Sequence, residues 1–214
     1  MQVQHLIDVM PAFLIACVIL AALPGPATAL FLHRSVRDGR AAGLAAVVGN
    51  EIGIFGWTIA GGAGLSVLLI ANRALSLALH VIGAVILIWL GVSAWRQANR
   101  PADAALAIPV PPRGRTPASA FRASLISIAA NPKAAAFGIA VIPQFLPSSG
   151  PVLPTLLVLA VVQLVLDTTW CAGVVLAADR ARNVLGRAHI RRRIERVMGA
   201  ALVGLGLGLA ADAR

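Results

Sequence analysis

Apolar residues in this chain gather into six long runs, centred on Leu14, Ile59, Ile86, Ile139, Leu159 and Val203, with short polar or arginine-bearing stretches between them. Most runs approach or exceed the ~20 residues that an α-helix needs to cross a hydrocarbon core of ~30 Å. Inside lipid a backbone must satisfy its own hydrogen bonds, so uninterrupted runs of this kind predict helices. The pattern predicts an all-α, polytopic transmembrane helix bundle of about six spans, over residues 10–32, 42–70, 75–95, 121–145, 152–178 and 197–211. The last run is short and glycine-rich, which leaves a chain of five spans as the alternative.

Composition agrees with this reading. Of 214 residues, 59% are hydrophobic and 12% charged, and the mean hydropathy is +0.87; soluble domains carry about twice that charged fraction. A net charge of +10 would suggest nucleic acid in a soluble protein, but here the charges sit between the runs. Arg34, Arg37 and Arg40 follow the first run. Arg96, Arg100, Arg113, Arg115 and Arg122 follow the third, and Arg180, Arg182, Arg187, Arg191, Arg192, Arg193 and Arg196 follow the fifth. The second connection holds only Arg73, and the fourth, 144–154, has no Lys or Arg. The positive-inside rule therefore predicts cytoplasmic first, third and fifth connections and an N-terminus outside, in a bacterial cytoplasmic (inner) membrane. The expected macromolecular environment is the lipid bilayer, with no nucleic-acid partner. Segment 179–197 alternates arginines with Val184, Leu185, Ile190 and Ile194, as expected of a helix lying on an anionic leaflet. Residues 1–9 contain no Lys or Arg, so the first run reads as a retained span and not a secretory signal.

The longest connection, 97–120, mixes prolines with arginines and reads as an exposed linker between a first three-helix half, 1–96, and a second, 121–214. The halves carry a weak internal match. Gly25-Pro26-Ala27-Thr28-Ala29-Leu30-Phe31 and Asn131-Pro132-Lys133-Ala134-Ala135-Ala136-Phe137 share Pro, Ala and Phe at the same offsets. A duplication with an odd number of spans per half makes the halves inverted repeats, and inverted repeats with broken helices are the architecture of secondary transporters.

The prolines also locate candidate chemistry. Each removes one backbone donor and crowds the carbonyl four residues earlier, so Pro24, Gly25 and Pro26 should break the first span and Pro132, beside Asn131, the fourth. Counted at ~1.5 Å per residue from Arg34 and Arg122, both breaks lie about 12 to 15 Å deep, near the bilayer midplane. Glu51, Asp167 and Lys133 fall near the same depth. A charge there costs at least ~2.5 kcal/mol, so such groups face the bundle interior and pair with one another or with a substrate. The functional expectation is that Lys133 and the broken-helix N–H groups, at Pro24, Gly25, Pro26, Asn131 and Pro132, bind a substrate carboxylate. Glu51 or Asp167 then attracts the substrate ammonium or carries a coupling proton. The structural alternatives are packing kinks and a permanent internal ion pair.

Asn50 and Gln163 are positioned to extend the polar lining, and Gly49 with Gly53, like Gly204 with Gly208, has the spacing that lets helices approach, within the chain or in a homo-oligomer. Cys17 and Cys171 lie in apolar runs without ligand spacing, and His5, His33, His80 and His189 are scattered, so neither a metal nor a cofactor is expected. The absence of GxSxG weighs against an embedded hydrolase, and no enzymatic activity is expected.

Taken in order, these residues resemble the LysE/RhtB family of amino-acid exporters, the lysine and homoserine/threonine exporter type. The resemblance runs almost end to end. It is carried by Pro24-Gly25-Pro26-Ala27, Asp38-Gly39-Arg40 with Gly43-Leu44, Gly62 to Leu65, Gly83-Ala84 and Leu90-Gly91. In the second half it continues through Asn131-Pro132-Lys133-Ala134-Ala135, Pro143-Gln144-Phe145, and Asp167 with Trp170. It implies a six-helix secondary transporter that exports amino acids or related small metabolites by proton antiport, with both proline motifs near the path. Family members commonly carry Tyr after the Gly-Ala of the third span, where this chain has Val85. The alternatives are an inorganic-ion exporter, or a non-transporting membrane enzyme or assembly subunit.

Overall fold

The computed structural model describes residues 2–71, 73–99, 116–147, 150–178, 180, 184 and 187–212. Among them every regular element is helical. Helix α1 (Gln2–Ala22) is followed by α2 (Pro26–Asp38), α3 (Arg40–Ala71) and α4 (Arg73–Ala98). After the expected linker, most of which lies outside the described residues, come α5 (Pro117–Ala129) and the short α6 (Pro132–Ala136). The latter runs on through a π turn (Phe137–Val141) and a 3-10 turn (Ile142–Phe145). Helices α7 (Val152–Leu176) and α8 (Ala188–Asp212) complete the chain.

Local chemistry explains the boundaries. Helix α1 cannot continue because Pro24 and Pro26 lack the donors its last turn needs. Pro26 instead opens α2 at the position where a missing N–H costs nothing, with Gly25 as its N-cap. Helix α2 stops at Gly39, whose φ of 90° favours glycine. Thr116 caps α5 through the amide of Ser119, and Asn131 caps α6 through that of Lys133.

Helices α1, α3, α4 and α7 are each long and apolar enough to span a bilayer, and α5 with α6 through Phe145 forms a fifth candidate bent by 54°. The chain is thus an all-helical, multi-pass membrane protein, with four to five candidate spans among the described residues where about six, or alternatively five, were expected. The run 197–211 is helical, but α8 does not meet the same test of length and apolarity because it begins within the arginine cluster. The first span also shifts: α1 starts at Gln2, so the Pro24 break closes a complete helix where a mid-span kink was expected. Two arginines counted among the loop charges are buried, Arg34 paired with Asp38 at 2.9 Å and Arg191 with Glu195 at 3.8 Å.

Glycines set the closest helix approaches. A Cβ on Gly49 would meet the Phe121 carbonyl of α5, one on Gly138 the Trp57 carbonyl of α3, and one on Gly91 the Gly199 carbonyl of α8. These contacts seat α3 against the broken α5–α6 segment and α4 against α8. Gly53 likewise abuts Ile128, whereas Gly204 and Gly208 face open space, and Gly199 and Gly206 make the α4 contact in their place. One apolar core, around Phe13, Leu90, Phe137, Leu159 and Leu202, joins α1, α4, the π turn, α7 and α8. A second, around Phe31, Val47 and Val175, joins α2, α3 and α7.

Candidate functional site

Both helix breaks open onto one cavity of about 280 Å³, and Pro24, Gly25, Pro26, Asn131, Pro132 and Lys133 all line it. The two breaks are stitched by side chains from elsewhere in the fold. Pro24 has no N–H to give the carbonyl four residues earlier, that of Leu20. The Lys133 ammonium donates to that carbonyl at 2.9 Å. Pro132 stands in the same relation to Ile128, whose carbonyl accepts from the Trp57 indole N–H at 3.3 Å and from the Asn131 amide at 3.0 Å. The pairing of Lys133 with a carboxylate, expected as the structural alternative, does not form. Among the described residues no ion pair joins Lys133 to either acid, and its ammonium has donors to spare beside the cavity.

Asp167 lines the cavity from α7, half a bundle away in sequence from Glu51 on α3. Glu51 is buried and does not line the cavity, but it stands directly behind Asp167: a carboxylate oxygen of each and the Cys171 sulfur lie within 4.8 Å of one another. Asn50 donates to Glu51 Oε1 at 3.1 Å, and the Cys171 thiol donates to Asp167 Oδ1 at 3.8 Å. Asn50 and Gln163 both line the cavity, as the sequence suggested, and Gln163 accepts a 2.9 Å hydrogen bond from Thr58. The remaining walls are largely apolar, including Ile54, Leu90 and Phe137. Two carboxyl groups and one ammonium therefore share a single low-dielectric interior.

Helix α2 begins at this cavity without a side-chain cap. Its first-turn amides, at Ala27 and Thr28, have no intrahelical acceptor and present the positive end of the helix dipole to the space. The amide of Lys133 differs, since it is already taken by the Asn131 side chain at 3.0 Å. Of the two proline motifs, the first offers the open helix terminus.

Three participants escaped the sequence reading. Trp57 and the Leu20 carbonyl could be found only as partners across the fold. Cys171 follows Asp167 by four residues, a spacing that places both on one helix face and would have flagged it. At the position where the family pattern suggested an aromatic, Val85 is 58% exposed and turned away from the cavity, and Trp89 one turn later lines it.

A bundle of apolar helices with a cavity that holds a few polar and charged groups at the junction of two broken segments is the architecture of a membrane transporter. A family model described as "LysE type translocator" matches residues 18–213, and the chain belongs to that family. It is 27% identical to an uncharacterized membrane protein of Vibrio cholerae, over 95% of this chain and 97% of that one. It is 26% identical to the uncharacterized membrane protein YrhP of Bacillus subtilis, over 92% and 95%. It is also 28% identical to a homoserine/homoserine lactone efflux protein of Salmonella typhimurium, over 79% of this chain and 80% of the relative. No solved structure matches.

Proposed function

We propose that this protein exports amino acids, bound as zwitterions in the cavity between the two helix breaks, in exchange for protons. One observation carries the reading: an ammonium with unused donors and the Asp167 carboxyl group, with Glu51 close to it, face the same cavity from different helices. The substrate carboxylate binds between Lys133 and the first turn of α2, where hydrogen-bond donors and the helix dipole act together. Its ammonium binds toward Asp167, with Glu51 behind.

This arrangement supplies a reason for antiport. Two carboxylates exceed the single Lys133 charge by one, and a buried excess charge is costly. A proton cancels it; a bound zwitterion adds no net charge, but its ammonium displaces that proton from the carboxyl pair while its carboxylate is taken up by Lys133 and the first turn of α2. The two cations compete for the same carboxyl pair, so each excludes the other across the transport cycle. A cavity of this volume with largely apolar walls and a Thr58–Gln163 pair suits a small, uncharged side chain of the homoserine kind, in keeping with the efflux relatives. The reading retains the arginine-rich connections in the cytoplasm, the N-terminus outside, and two inverted halves, 1–96 and 121–214.

The test is release of labelled amino acids from preloaded cells with and without the protein, each with and without an uncoupler. Protein-dependent release that collapses with the uncoupler is the expected result. Release indifferent to both removes the export reading. A second reading draws on the Lys133–Leu20 hydrogen bond: the lysine is a structural staple and the protein does not transport. In that case Lys133→Gln, which keeps a donor for the Leu20 carbonyl but not the charge, leaves every activity of the protein intact.

A further inference from the structure

The acid pair does not stand alone. The Cys171 sulfur completes a triangle with the Glu51 and Asp167 carboxylate oxygens, all within 4.8 Å of one another. In a tetrahedral zinc site, bonds of about 2.0 Å to oxygen and 2.3 Å to sulfur put two oxygens and one sulfur about 3.3 to 3.5 Å apart. Drawing these three atoms onto one ion therefore takes side-chain shifts of about 1 Å. Two buried oxygens, on Glu51 and on the adjacent Asn50, are a second observation that points to a ligand. Glu51 Oε2 has no hydrogen-bond partner, and neither has the side-chain oxygen of Asn50, although both residues are 97% buried. Unpaired buried acceptors are costly, and a bound cation satisfies them. Asp167, Cys171 and Asn50 line the cavity, which gives an ion access.

We infer that Glu51, Asp167 and Cys171 form a binding site for one borderline-soft divalent cation of the zinc or cadmium kind, with the Asn50 amide oxygen as neighbour or fourth ligand. The ligand set selects the class. Sodium, magnesium and calcium prefer all-oxygen shells, whereas a thiolate among carboxylates favours zinc or cadmium. Charge agrees: with the thiol proton released to solvent on binding, three anionic ligands balance a divalent cation together with the Lys133 ammonium. The assembly is neutral, the condition under which such a group can sit inside a membrane. The ion occupies the place assigned above to the substrate ammonium, so it acts as a blocker of that site.

The experiment uses the full chain in detergent, carrying Cys17→Ser so that Cys171 is the only thiol. Cadmium is titrated while the ultraviolet thiolate-to-cadmium absorption is followed. The expected result is a band saturating at one ion per chain, abolished by Cys171→Ser and shifted to at least about ten-fold higher cadmium by Glu51→Gln. No band in the single-thiol protein, or one indifferent to Glu51→Gln, overturns the site. Alkylation of Cys171 by a maleimide in that same protein needs no substitution of an acid. Protection by cadmium supports the site, and unchanged reactivity refutes it even where the acid variant fails to fold. The readout involves no transport, so its failure leaves the export reading standing, and failure of export leaves the metal site standing.

Discussion

The two proline breaks solve the same problem in different ways. Each orphans one carbonyl, and each carbonyl is recovered by a side chain from another helix. At the second break the rescuer is Trp57, whose indole has a single N–H and spends it on Ile128. At the first it is Lys133, whose ammonium has three, only one of which goes to Leu20. The α6 amide behind the second break is capped by Asn131, while α2 at the first has no side-chain cap. The second break is therefore chemically closed. The first has donors left over, beside a cavity that also contains Asp167. A helix break is thus not in itself a binding site, and what distinguishes the two is the capacity left after the backbone has been satisfied.

The largest effect that would sharpen this contrast is on Lys133. Lys133→Gln should keep the stitch to Leu20 and lower export by about a hundred-fold, the equivalent of a charge-assisted hydrogen bond worth about 3 kcal/mol. Initial rates of release from preloaded cells, at matched membrane levels, decide it; a loss below three-fold would erase the asymmetry between the breaks. Next comes Asp167→Asn, which should uncouple the protein. Release should become insensitive to an uncoupler while exchange of labelled for unlabelled substrate continues, and retained sensitivity would exclude Asp167 from proton exchange.

Smaller effects are expected where the second break is only scaffold. Gly138→Ala drives a methyl into the Trp57 backbone and should cost about 1–3 kcal/mol, measured as a lowered unfolding midpoint in detergent. A midpoint equal to that of the parent protein would mean that α3 and the π turn are less closely apposed than described. The smallest is Trp57→Phe. Loss of one hydrogen bond, with Ile128 still held by the Asn131 amide, should cost about 0.5–1.5 kcal/mol in the same measurement and leave export nearly unchanged. An export defect as deep as that of Lys133→Gln would make the two breaks functionally equivalent.

Several elements were legible because they depend on local chemistry alone. The runs over 42–70, 75–95 and 152–178 became α3, α4 and α7 nearly as drawn, since an apolar segment of that length in lipid has no alternative to a helix. The fourth run broke at Asn131-Pro132 as the missing proline donor requires. The first and last boundaries were misjudged for a common reason. Hydropathy does not register polar residues that a helix can carry beyond an apolar run, so α1 reaches back to Gln2 and α8 to Ala188. Arg34 and Arg191 were counted among the connections between runs, and their burial, each paired with the acid four residues on, Asp38 or Glu195, depends on the helices that pack over them.

Sequence alone determined that the chain is a membrane bundle, that its helical path is interrupted at Pro24 and Pro132, and that Glu51, Asp167 and Lys133 lie within it, because each follows from hydrophobicity, proline's missing donor and the cost of a charge in lipid. Which groups meet was settled by folding. Lys133 reaches a carbonyl 113 residues away and not an acid, and Glu51 comes up behind Asp167 with Cys171 beside them both. Such encounters depend on how helices rotate and approach one another. That is fixed by steric fits such as Gly138 against Trp57, which no local pattern in the sequence specifies.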